Sequence, residues 1–270
     1  MTSSSSLGVA IAQFAPGADT HENLATIGVL ARRAASRGAS LIVFPEYSSY
    51  FSEPFGEGFL DKAEPLDGAF VQAVGALAAE LGVHIVAGMI ESTASGQRFS
   101  NAVVALSPSG ELVASYRKLH LYDAFGSRES DWVEPGEVTS PETFDAGGFT
   151  VGLQTCYDIR FPEVTRRLVD AGANLVLVPA EWVRGPLKEH HWRTLVTARA
   201  LENTIYVAAA DHIPPVGVGA SLVVDPMGVT LASLGENEEV AVAWLDSSRL
   251  HAVRAVNPAL ELRRFGTHEL

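Results

Sequence analysis

The sequence has one cysteine among its 270 residues, Cys156, so no disulfide can close within the chain and a disulfide-stapled secreted fold is excluded. Basic residues are scarce. Nineteen lysines and arginines stand against 32 aspartates and glutamates, a formal net charge of −13. That field repels a nucleic-acid backbone or an anionic membrane, although one local arginine can still hold an anionic substrate. No apolar run reaches the length needed to span a bilayer. Residues 1–6 are a polar, serine-rich stretch without the basic-then-apolar order of a signal peptide, and they read as a disordered tail on a cytoplasmic protein. No linker, repeat array or low-complexity segment breaks the remainder, so residues 7–270 read as one domain with a C-terminal extension. His190 and His191 are adjacent, hence about 100° apart on a helix, and do not share a metal as an i,i+4 pair would.

What is present is apolar material. Hydrophobic residues make up 47% of the chain and charged residues 19%, enough for a substantial core. β-branched runs alternate with helix-period segments, the pattern of a layered α/β fold. Strands are expected over residues 7–14, 41–44, 83–89, 149–155, 175–178, 205–210 and 221–224. Helices are expected from Asp19 or Thr20 to Arg37, with Gly38 as the stop, and over residues 68–81, 162–171 and 187–202. Residues 102–106 and 112–119 flank the turn Ser107-Pro108-Ser109-Gly110 and read as a hairpin. The polar stretch 122–142 has the composition of an ordered functional loop.

One internal similarity bears on function. Residues 37–46, RGASLIVFPE, resemble residues 171–180, AGANLVLVPA. Each follows a helix and ends a buried strand in a proline that stops sheet pairing. The two units read as equivalent βαβ pieces, with Glu46 and the loop Ala180-Glu181-Trp182 at matching strand ends. In open α/β sheets, sites collect at the carboxyl ends of strands.

Three polar residues stand at such places. Cys156 follows the strand 149–155; a single cysteine there is most often an inert buried thiol. A strand-to-helix turn, however, lifts a nucleophile out of the sheet and aims the next backbone N–H, that of Tyr157, at a bound carbonyl oxygen. Glu46 leaves an apolar strand into the same mouth; alone it reads as an ordinary solvated loop glutamate, whereas partial burial would fit the carboxylate to take a proton from a thiol. Lys118 sits in an alternating strand on the face of Tyr116 and His120, opposite Arg117, Leu119 and Leu121. There it is either an exposed edge lysine or a fixed cation beside a thiolate.

Taken in order, Phe44-Pro45-Glu46, Arg117-Lys118-Leu119-His120-Leu121 and Thr155-Cys156-Tyr157-Asp158-Ile159-Arg160-Phe161-Pro162-Glu163 resemble the three catalytic blocks of the nitrilase superfamily, the carbon–nitrogen hydrolases. The similarity takes in Asn101, Pro179-Ala180-Glu181-Trp182, His191-Trp192-Arg193, residues 198–203 and residues 221–228, and runs from Leu7 to about Asp246. The resemblance implies a four-layer αββα sandwich, homodimers packed through sheet-covering helices, and a reaction with no metal or organic cofactor. It implies a catalytic Glu46, Lys118 and Cys156, and a second glutamate matched here by Glu129, with Glu134 and Glu137 as acidic neighbours. Glu46 would take the thiol proton, Lys118 and the Tyr157 amide would hold the oxyanion, and Glu129 would orient substrate and lysine.

Tyr157, Glu181 and Trp182 are the expected substrate contacts. Arg184 is either a solvated loop residue or a partner for a substrate carboxylate, and Asp158 and Arg160 are expected to brace the turn after Cys156. The implied activity is that of an amidase acting on a small, carboxylated amide, of the omega-amidase or deaminated-glutathione-amidase type. A true nitrilase typically carries tryptophan where this chain has Tyr157. An N-carbamoyl amino acid amidohydrolase shares the three residues and differs in its pocket. A membrane N-acyltransferase lacks support without spanning segments. A binding protein on the same fold would have no use for three chemically competent residues.

Overall fold

A computed structural model describes residues 6–269. The chain runs β1 (Ser6–Gln13), α1 (Thr20–Ser36), β2 (Leu41–Val43), α2 (Glu57–Asp61), α3 (Ala69–Leu81), β3 (His84–Ser92), β4 (Phe99–Leu106) and β5 (Leu112–Arg117). The second half follows as β6 (Thr143–Ala146), β7 (Phe149–Leu153), α4 (Pro162–Asp170), β8 (Leu175–Ala180), α5 (Lys188–Asn203) and β9 (Tyr206–Asp211). It ends with β10 (Leu222–Val224), β11 (Thr230–Ser233), β12 (Glu239–Asp246) and α6 (Ser247–Val256). Ser6, expected in the tail, is the first residue of β1; the rest of that expected tail lies outside the described residues.

Two six-stranded sheets result, in the orders β12-β1-β2-β3-β4-β5 and β11-β10-β9-β8-β7-β6. They match strand for strand. Each has a parallel trio (β1-β2-β3 and β7-β8-β9) flanked on both sides by antiparallel pairing. The internal sequence similarity maps onto this repeat, because β2 and β8 occupy equivalent places, and they touch across the sandwich.

The continuous apolar runs follow from burial on both faces. In β1, Leu7, Val9 and Ile11 join Leu175, Leu177 and Val151 between the sheets. The alternate residues Ala10 and Ala12 meet Ile27, Leu30, Ala31 and Ala34 of α1, spaced as one helix face requires. On the far side Val176 and Val178 of β8 pack on Trp192, Val196 and Ala200 of α5. Helix, sheet, sheet, helix: the architecture is the four-layer αββα sandwich. At α1 the Asp19 carboxylate caps the N-terminus by accepting from the amides of His21 (2.8 Å) and Glu22 (3.2 Å), and Gly38 (φ +90°) turns the chain out at the other end.

Several elements depart from expectation. β12 pairs with β1 along its whole length, from Ser6↔Asp246 to Gln13↔Glu239, and Leu250 of α6 enters the inter-sheet core. Neither was expected, and nor were α2, β6 and β11. β7 stops at Leu153 and β5 at Arg117, two residues short of the expected ends, because each chain there leaves the ladder to deliver a side chain to one site.

The backbone carrying Glu46 is seated on β3 at Gly88. A Cβ at this glycine would lie 2.6 Å from Glu46 Cα and from the Tyr47 nitrogen. Gly88→Ala is therefore expected to push the Glu46 turn away and to cost about 1–3 kcal/mol, as overpacking does. Denaturant midpoints, measured beside activity, check this. A variant with unchanged midpoint and activity would show that the turn is not seated there.

Candidate active site

Past β7, residues Cys156–Arg160 form a 3-10 turn, and Cys156 at its start has φ +45°, the left-handed region that a side chain enters at a cost. Asp158 holds the turn in place. Its buried carboxylate accepts from the Tyr116 hydroxyl (2.7 Å), the His120 amide (3.0 Å) and the Thr155 amide (3.3 Å), and the His120 ring nitrogen Nδ1 lies 2.8 Å from it. Tyr116 and His120 thus reach the same partner, as the alternation around Lys118 required. Arg117 turns away to Glu91.

Glu46 is wholly buried. Its Oε1 accepts from Lys118 Nζ (2.8 Å) and Asn101 Nδ2 (2.6 Å), and its Oε2 accepts from the Glu181 amide (2.6 Å). The Glu46 carbonyl accepts from His212 Nε2 at 2.6 Å. Burial pushes the His212 imidazole down to about 4, so the ring is neutral near pH 7, and a carbonyl partner places its proton on Nε2. Lys118, 2% exposed although it follows an edge strand, also donates to Glu129 Oε1 (3.0 Å). Glu129 accepts in addition from the Tyr47 hydroxyl (2.7 Å) and from Asn101 Nδ2 (3.2 Å). Asn101 and Lys118 therefore bridge the two glutamates.

Burial alone would pull the Lys118 ammonium down, but Glu129 and Glu46 outweigh it and hold the group well above its ordinary value. It stays a cation. The Cys156 thiol moves the other way: burial first, then the charge of Glu46, push it well up against the opposing pull of Lys118. The sulfur, 6% exposed, lies 3.4 Å from the Glu181 carbonyl, to which a thiol donates. The resting site thus holds a thiol beside a carboxylate rather than a preformed thiolate. The Glu181 carboxyl is also pushed well up, by burial and by its neighbours Glu46 and Asp211, and its Oε1 has no hydrogen-bond partner.

A cavity of about 460 Å³ is lined by Lys118, Glu129, Cys156, Tyr157, Glu181 and Trp182 among others, and Glu46 touches it through its bonds to Lys118 and the Glu181 amide. Carboxylate, cation and sulfur come from three loops at the carboxyl ends of β2, β5 and β7, an arrangement able to attack a carbonyl carbon and stabilise the resulting oxyanion.

The carbon–nitrogen hydrolase family model matches residues 8–255. The chain belongs to the carbon–nitrogen hydrolase family. It is 38% identical over 264 residues to deaminated glutathione amidase of Escherichia coli O157:H7, an alignment covering 97% of this chain and 99% of that protein. Against omega-amidase NIT2 of Mus musculus the identity is 32% over 273 residues, covering 96% of both chains. The crystal structure of Saccharomyces cerevisiae Nit3, a member of branch 10 of the nitrilase superfamily, superposes with a TM-score of 0.84 at 27% identity, covering 97% of each chain. The carbon–nitrogen hydrolase is thus an enzyme of the superfamily's amidase-like branch, acting on bonds other than peptide bonds.

The carbon–nitrogen hydrolase brings together every expected site residue, and it decides the open case of Arg184. Glu46, Lys118, Glu129 and Cys156 converge, and Tyr157, Glu181 and Trp182 line the cavity. Arg184 does not line it; its side chain pairs with Glu236 at 3.5 Å. Arg160 lies over the Trp182 ring at 4.7 Å rather than bracing the turn. Sequence reasoning missed Tyr47, His212 and Lys188. A polar Asn101 inside the buried run of β4 carried a signal of its own; His212 and Lys188 carried none, since their partners lie far away in the chain. Among the described residues, no helix is long and apolar enough to cross a membrane.

Proposed function

We propose that this enzyme is a cysteine-dependent amidase that hydrolyses a small amide to carboxylate and ammonia through a thioester on Cys156. The observation that carries this reading is Lys118 held between the buried carboxylates of Glu46 and Glu129 on the wall of the cavity that Cys156 also lines.

A thiol raised by burial must lose its proton as it attacks, so a base has to stand beside it. Glu46 is that base. As Sγ bonds to the amide carbon, the thiol proton passes to Glu46, and the Lys118 ammonium with the Tyr157 N–H takes up the charge on the carbonyl oxygen. Such a turn leaves its opening N–H groups without intrahelical partners. The tetrahedral adduct collapses, the C–N bond breaks, and the proton leaves with ammonia. Glu46 then takes a proton from water as the hydroxide attacks the thioester, and returns it to the departing sulfur. Glu129, anchored by Tyr47, keeps Lys118 aimed at the oxyanion. Tyr157, Glu181 and Trp182 contact the acyl part of the substrate. This reading extends to a cytoplasmic protein and to a homodimer, the latter supported by the exposed apolar residues Leu201 on α5 and Met227 and Val229, which flank Gly228 packed on Leu201.

Ammonia release tests the assignment across deaminated glutathione, alpha-ketoglutaramate, aliphatic amides, N-carbamoyl amino acids and nitriles. Release from an amide at kcat/KM at least about tenfold above the best carbamoyl compound or nitrile is the expected result. Preferred turnover of a carbamoyl amino acid, or no turnover of any amide, would overturn it.

A further inference from the structure

The cavity holds a second lysine that the mechanism does not use. Lys188 opens α5 immediately after Leu187, whose left-handed backbone (φ +62°) redirects the chain. The Lys188 side chain reaches the cavity, yet the residue is only 6% exposed. Its Nζ donates to the Tyr122 hydroxyl (2.8 Å) and lies over the rings of Phe125 (4.6 Å), Tyr122 (4.8 Å) and Trp182 (5.4 Å). An ammonium has three donors, and one is occupied. Among the described residues, Lys188 forms no ion pair.

A second cation lies close by. Arg160 shares the Phe125 and Trp182 rings with Lys188, its Nε is buried without a partner, and it too forms no ion pair among the described residues. Holding two like charges together, largely out of water, is costly, and aromatic faces offset only part of that cost. Acids are not lacking in a chain with 32 of them, and Lys118 has two. The missing counter-charge at Lys188 is therefore a ligand's.

We propose that Lys188 and the Tyr122 hydroxyl, backed by the charge of Arg160, form a carboxylate receptor that selects amides bearing a negative charge remote from the scissile bond. The proposal deepens the amidase reading and rests on it for the word substrate, though not for the receptor itself. The neighbouring acids do not oppose it. Glu129 is tied to Lys118 and Tyr47, and burial with the charges of Glu46 and Asp211 pushes the Glu181 carboxyl well up, toward its neutral form. The Tyr122 phenol, pushed up to about 12 chiefly by burial, stays a hydroxyl that accepts from Lys188 and donates to the incoming anion.

The test compares glutaramate, which carries a terminal carboxylate, with the uncharged pentanamide. The wild-type enzyme is expected to favour glutaramate, and Lys188→Met to reduce that preference by about 10²-fold, chiefly through KM, the size of a lost hydrogen bond to a buried charge. Lys188→Arg should retain most of it. Equal losses on both substrates would assign Lys188 a purely structural role and overturn the receptor. A second arm needs no turnover. Glutarate titrated calorimetrically into the Cys156→Ala enzyme should bind, and adding Lys188→Met should weaken it about 10²-fold. Failure of glutarate to bind, or binding indifferent to Lys188→Met, overturns the receptor even where amides are hydrolysed. Glutarate binding without turnover of any amide would leave the receptor standing and remove the amidase reading.

Discussion

Cys156→Ala is expected to abolish ammonia release and to leave the fold intact. The substitution removes one sulfur from the wall of a cavity, where no neighbour depends on it except through the weak 3.4 Å contact with the Glu181 carbonyl. The left-handed backbone at this position is maintained by Asp158, which the mutation does not touch. Stability should change by no more than about 1 kcal/mol. Turnover should fall by about 10⁶-fold, the usual scale for deleting a covalent nucleophile. More than a few per cent of residual activity in a preparation free of wild-type enzyme would eliminate the covalent mechanism. Alkylation offers an independent check. Because burial and Glu46 hold the sulfur as a thiol, iodoacetamide should modify Cys156 once, slowly at neutral pH, and substrate should suppress the reaction.

The second large effect is expected at Glu46. Glu46→Gln keeps the shape but cannot accept the thiol proton, and a missing general base costs about 10²–10⁴-fold in kcat. The hydrogen bonds add a further penalty. Both carboxylate oxygens accept, Oε1 from Lys118 and Asn101 and Oε2 from the Glu181 amide, so either orientation of a glutamine sets its NH₂ against a donor. Lys118→Met supplies the contrast. It removes the oxyanion's cation at a cost of about 10²–10³-fold, yet leaves Glu46 able to drive acylation, so mass spectrometry should find a thioester on Cys156. With Glu46→Gln no such adduct should accumulate from an amide. Near-normal turnover by Glu46→Gln would mean that another carboxylate, Glu129 foremost, is the base.

The legible parts of this molecule were those whose meaning is local. Leu41–Val43 and Leu175–Ala180 announce themselves as doubly covered strands by composition, and Asp19 and Gly38 mark the ends of α1 by their own chemistry. Glu46, Lys118 and Cys156 could be read because each sits in a run of residues resembling a known block. Other features depend on contacts that sequence order hides. β12 is half-buried and lies more than 200 residues from its partner β1, so no local pattern pairs them. An edge-strand lysine and a lysine at the start of a helix look alike on paper. Lys118 is covered by the loop that brings Glu129 to it, and Lys188 by three aromatic rings. Arg184 was the more evident candidate for a substrate anion, and the fold turns it to Glu236 instead.

The matching of the two sheets carries a consequence for how this enzyme fails. Glu46, Lys118 and Glu129 belong to the first half of the chain, whereas Cys156 and Glu181 belong to the second. Neither half alone owns a complete set of reacting groups. Glu46 meets Cys156 only because one slab of the sandwich lies in register on the other, through side chains such as Val9, Val43, Leu175 and Leu177. Slippage between the slabs would part acid from thiol while every strand kept its own ladder of hydrogen bonds. With the roles proposed above, catalysis is expected to be the first property lost on loosening and the last regained on assembly, reporting the docking of two halves rather than the integrity of either.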